Sequence, residues 1–110
     1  MPEDVYREVS RPYVRAHPRL LSDHVFDKLR AIGMVLAEFG ELLDDPEHQV
    51  EVIAEAHESD SEVKELLLVI EWLRPLHVVI VVDDARSQER VVTVYEPYPS
   101  EWTADFRRRR

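Results

Sequence analysis

The stretch at residues 74–97, RPLHVVIVVDDARSQERVVTVYEP, constrains this chain most. Its first half is apolar and largely β-branched from Leu76 to Val82, broken only by His77. Its second half, VVTVY, closes on Tyr95. The residues between, 83–90, are polar or charged except Ala85. Two strands joined by a polar loop follow from that pattern. Upstream, KELLLVIEWL at 64–73 is a third strand, separated from the next only by Arg74 and Pro75. HQVEVIAEAH at 48–57 alternates, with Val50, Val52, Ala54 and Ala56 on one side, and makes a fourth. The expected fold class is α+β: two N-terminal helices packed on a four-stranded, mainly antiparallel sheet, with strands at about 49–56, 64–73, 76–83 and 90–96.

The helices come from the preceding segment. Ser22 or Asp23 is a good N-cap, and Val25, Phe26, Leu29 and Ile32 follow at helical spacing. Gly33 is a natural stop, since glycine adopts positive φ without strain. Val35, Leu36, Phe39, Leu42 and Leu43 form a second helical pattern that ends at Asp44-Asp45-Pro46. Residues 1–21 read as an N-terminal arm, with a short helix over EDVYREV and an extended run after Pro12. Residues 22–110 then form one domain. Ser100 would cap a short C-terminal helical turn holding Trp102 and Phe106. Two helices cover one sheet face only. The other needs the arm, the C-terminal segment or a second copy of the chain, which makes a homo-oligomer through the uncovered face an expected arrangement.

Charge is unevenly placed. The net charge is −9 over 110 residues, yet residues 1–37 and 72–110 are close to balanced. Residues 38–71 carry twelve acids against Lys64 alone. An acidic face of that kind repels phosphate and attracts a basic partner. The chain closes on Arg107 to Arg110, which either fold back onto the acids or stay free for a phosphate-bearing partner. There is no cysteine, so disulfide, zinc-thiolate and cysteine-nucleophile chemistry are excluded. No apolar run is long enough to span a bilayer and no signal pattern opens the chain. A cytoplasmic protein without membrane contact is expected.

The candidate chemistry lies in a few residues. His24 stands in the first turn of the first helix, with Lys28 one turn later and Arg30 nearby. His77 interrupts an aliphatic strand, and Tyr95 ends the next one. A histidine, a tyrosine and cations suffice for metal-independent RNA cleavage: one group takes the 2′-hydroxyl proton, another protonates the leaving oxygen, and a cation steadies the phosphate. The competing reading of the same residues is structural, with His77 a satisfied core histidine and His24 on the surface. Register decides whether His77 and Tyr95 meet. Pairing Val81 with Val91 puts them opposite each other; pairing Val82 with Val91 sends them to opposite faces. The acids Asp44, Asp45 and Glu47 with His48 lack metal-ligand spacing, and neither a metal nor a cofactor is expected.

This layout, carried by PLHVVIVVDD and VVTVYEPYPSEW, resembles the prokaryotic family known as domain of unknown function 4258. That family is thought to share its fold with RelE-, ParE- and BrnT-type toxins, many of which cleave RNA. The resemblance covers residues 22–110 and implies a toxin-like ribonuclease. His24 and His77 would be acid and base, Tyr95 would orient phosphate or share proton transfer, and Lys28, Arg30 and Arg107 would bind phosphate. RNA and an antitoxin-like protein are the implied partners. The family's basic residue before the glycine is replaced here by Ile32. The alternative is a non-catalytic protein-interaction module that uses the acidic face or the open sheet face.

Overall fold

The computed structural model describes residues 6–110. Their order is β1 (Arg7–Pro12), β2 (Arg19–Leu21), α1 (Asp23–Ile32), α2 (Leu36–Asp44), a 3-10 turn (Pro46–His48), β3 (Glu51–His57), β4 (Glu62–Val69), β5 (Leu76–Asp83) and β6 (Gln88–Tyr95). The strands form one six-stranded sheet in the order β1-β3-β4-β5-β6-β2. Its inner pairings are antiparallel, and β2 lies parallel to β6.

The expected four-stranded sheet is therefore corrected to six strands, and the helices are not N-terminal, because two strands precede them. The segment read as an arm supplies both edge strands. Arg7–Pro12 is strand where a helix was expected over residues 3–9, of which 3–5 lie outside the described residues. The backbone of this mostly polar segment fills the sheet edge beside β3, and that tertiary pairing outweighs the local helical pattern. The C-terminal helical turn is also corrected. The amides of Glu101 and Trp102 both donate to the Tyr98 carbonyl, but no helix continues, and Phe106 sits at φ 61°.

The first helix forms as its caps dictate, whereas α2 starts after Val35 with no side-chain cap. The Ser22 side chain accepts from the Val25 amide, and Gly33 at φ 79° ends α1 in the left-handed region, with the Met34 amide returning to the Leu29 carbonyl. α2 ends before Pro46, which opens the 3-10 turn.

Three different segments cover the sheet. On the first face α1 and α2 bring Val25, Leu29, Phe39 and Leu42 onto Leu67, Leu76, Val78, Ile80 and Val94. Residues 13–18 cross the same face. β1 ends opposite Glu51 at the start of β3, and β2 begins opposite Glu89 near the start of β6. Since β3 and β6 run in opposite directions, this crossing is diagonal. On the second face Ile53, Leu66, Leu68 and Val79 are covered by Trp102 and Phe106 of the C-terminal segment. The strand expected over 64–73 ends at Val69, and Ile70 is 51% exposed where the chain bends away toward β5.

Candidate functional site

Three groups of polar side chains are brought together, and the first contains His77 and Tyr95. These two residues are paired across β5 and β6. Neither anticipated register holds along the whole hairpin. Ile80 faces Val91 near the loop, and a bulge between Val79 and Ile80 then shifts the ladder so that His77 faces Tyr95. His77 is fully buried on the second face, edge-on to Trp102 at 4.3 Å between ring centroids. Its Nε2 lies 2.8 Å from the Phe106 carbonyl and its Nδ1 3.1 Å from the Tyr95 hydroxyl. A carbonyl only accepts, so Nε2 carries the proton and Nδ1 accepts from Tyr95. Burial pushes His77 down to about 4, and it also raises Tyr95 above its usual value. The pair is neutral at physiological pH, both ring nitrogens are engaged, and the tyrosine proton is committed to the histidine.

The second group is a buried clamp that sequence reasoning missed. Glu89 is fully buried on β6. It accepts from the Tyr13 hydroxyl at 2.6 Å, the Ala16 amide at 2.7 Å and the His17 amide at 3.3 Å. Arg19 donates to the Tyr13 oxygen at 2.8 Å and pairs with Asp44 at 2.8 Å. That hydrogen bond holds the Asp44 carboxyl below the usual range, while burial and then Glu89 push the Tyr13 phenol up. The signal available in the sequence was an acid on the inward face of β6, two residues before Val91. A cavity of about 800 Å³ lies beside this clamp, lined by Tyr13, Asp44 and Gln49 among others. Its cations Arg11 and Arg15 are already paired, with Glu55 and Glu65 and with Asp44.

The third group lies between α1, the end of β6 and the C-terminal segment. A groove of about 450 Å³ is lined there by Lys28, Tyr95, Tyr98, Trp102 and Arg109, with Glu96 and Glu101 on its wall. Arg109 lies over the Trp102 ring at 4.9 Å. Glu96 is paired with Arg74 at 2.6 Å. Among the described residues, every lysine and arginine pairs with a carboxylate except Lys28, Arg109 and Arg110. Two of those three line this one groove. There they face Glu96, which Arg74 takes up, and Glu101 on the same wall, so the groove carries a small excess of positive charge on a chain of net charge −9.

The other candidates fall in different places. His24 is exposed and its Nε2 is 3.2 Å from Thr93 Oγ1 on β6. It stands one helical turn before Lys28, on the same helix face, and does not itself line the groove. Arg30 is exposed on α1 and pairs with Asp27. Arg107 is held by both oxygens of Glu51, near the opposite edge of the sheet, and Arg108 pairs with Glu8. The terminal arginines thus divide: Arg107 and Arg108 fold back onto acids, and Arg109 turns to the groove. Among the described residues no three histidine, aspartate or glutamate side chains converge as metal ligands, and no helix is long and apolar enough to cross a membrane.

The fold is that of a small α+β protein with a six-stranded sheet, and its aromatic-lined groove brings Lys28 and Arg109 together with Glu96 and Glu101. No family model matches the chain, no curated protein matches it, and no solved structure matches its fold. The resemblance read from PLHVVIVVDD and VVTVYEPYPSEW stands on those residues alone.

Proposed function

We propose that this chain is a small RNA-directed domain of the toxin type that grips a phosphodiester between Lys28 and Arg109. The observation that carries the reading is the convergence in one groove of two cations lacking carboxylate partners. His24, exposed one helical turn before Lys28 and held at Thr93, would be the group that takes the proton from a 2′-hydroxyl. His77 supports the reading differently: neutral and enclosed, it fixes Tyr95 and Trp102, which form the groove's inner wall. The protein-interaction alternative has less to draw on. The second sheet face is covered by the C-terminal segment. Much of the acidic middle third is neutralised internally, with Asp44, Glu51, Glu55, Glu62 and Glu65 all paired to arginines.

The test is titration of a labelled single-stranded RNA at several salt concentrations. Wild-type protein is expected to bind at low salt. The Lys28→Ala/Arg109→Ala double variant is expected to bind more weakly, with a log–log salt slope smaller in magnitude by about 0.7, the value for the one phosphate that is no longer neutralised. His24→Ala is expected to leave binding in place and stop cleavage. An unchanged slope in the double variant, or no wild-type binding at low salt, contradicts the proposal.

A further inference from the structure

We infer that the ligand of this groove is single-stranded and that Tyr98 stacks one of its bases beside the bound phosphate. The inference rests on the RNA-directed reading and narrows it. Tyr98 is 68% exposed, the most exposed aromatic side chain among the described residues, and it lines the same groove as Lys28 and Arg109. Its hydroxyl makes no hydrogen bond among the described residues. An aromatic ring left in water forgoes the burial that most such rings find.

The backbone beneath that ring is held in place. Tyr98 lies between Pro97, which is buried, and Pro99. The prolines fix φ on both sides, and Pro99 also biases Tyr98 toward extended geometry. The Tyr98 carbonyl accepts from the Glu101 amide at 2.9 Å and the Trp102 amide at 3.2 Å. Pro99 in turn accepts from the Arg110 side chain through its carbonyl at 2.8 Å. The ring is thus carried on a fixed backbone next to a cation pair, the combination by which proteins hold unpaired nucleotides: positive charge for the backbone and an aromatic face for the base. A duplex keeps its bases stacked inside, out of reach of a recess of about 450 Å³ on one side. Glu101 on the groove wall adds a negative charge that limits the recess to a small anionic footprint.

The experiment compares three probes on wild-type protein and on Tyr98→Ala and Tyr98→Phe. The probes are a labelled single-stranded oligoribonucleotide, the same length with an abasic ribose-phosphate backbone, and the corresponding duplex. Tyr98→Ala is expected to weaken single-strand binding about tenfold, Tyr98→Phe to retain it, and the salt slope to stay the same in both. The abasic probe is expected to bind wild type and Tyr98→Ala alike, and the duplex more weakly than the single strand. If Tyr98→Ala binds the single strand as wild type does, while Lys28→Ala/Arg109→Ala still weakens it, the stacking inference is overturned and the RNA reading stands. If the duplex binds as tightly as the single strand, the inference is overturned as well. Loss of all three probes at low salt overturns both.

Discussion

Replacing Glu89 with alanine is expected to destabilise the protein by about 3–5 kcal/mol, the usual consequence of removing one partner from a buried charged network. The side chain is fully enclosed and accepts from Tyr13, Ala16 and His17. Without it, three donors from the crossing segment lose their acceptor; the Tyr13 hydroxyl is the buried one, for which an unmet bond costs about 1–3 kcal/mol, and the Ala16 and His17 amides are partly buried. Arg19, only 6% exposed at its side chain, would then rest on Tyr13 and Asp44 alone. Tyr13→Phe removes one hydrogen bond and keeps the ring, so it should cost about 1 kcal/mol. Urea denaturation measures both. Limited trypsin digestion adds a local readout, because Arg15 lies within the released crossing and Arg19 directly follows it. An unchanged urea midpoint for Glu89→Ala would show that the clamp does not hold the diagonal segment.

The second large effect is a pH dependence set by His77. Its folded value, about 4, lies below the 6.5 of an unperturbed histidine because burial penalises the charged ring. Between those values the unfolded chain binds a proton that the folded chain does not, so stability rises with pH across that window. The contribution is fully present above pH 6.5 and is lost progressively as pH falls toward 4. The gap amounts to about 3 kcal/mol. Carboxylates held low by arginines, such as Glu51 and Asp44, titrate below their ordinary values and add acid sensitivity only at the bottom of the window. His77→Gln separates the two, since it removes the imidazole titration. The stability difference between wild type and His77→Gln should shrink by about 3 kcal/mol from pH 7 to pH 4. A constant difference would place the histidine in contact with water.

The β5–β6 hairpin was legible because LHVVIVV and VVTVY have no other stable arrangement than adjacent buried strands. The first helix was legible because Ser22 and Gly33 mark its ends chemically, and the second because its apolar spacing runs up to Pro46. The edge strands were not. REVSRP and RLL are short and charged, and only their partners, β3 and β6, make them strands. The acidic middle third misled for a related reason. Arg7, Arg11 and Arg19 lie 25 to 54 residues away from the acids they neutralise, so a segment-by-segment charge count shows a face where the fold has ion pairs. The bulge that aligns His77 with Tyr95 depends on packing across the whole sheet and leaves no local signature. Of the candidate site, Lys28 and Tyr95 meet in one groove. Arg107 goes elsewhere, and Arg109 takes the place expected of it because a chain reversal, held by the Arg110 amide on the Glu101 carbonyl, decides which arginine faces inward.

The most direct test of the groove is an amide and indole NMR titration of the uniformly labelled wild-type chain with a short single-stranded RNA. The account predicts shifts concentrated on Lys28, Tyr95, Tyr98, Arg109 and the Trp102 indole, with His24 at the margin. Shifts centred on Arg107, Arg108 and β3, or spread evenly over the surface, would contradict it.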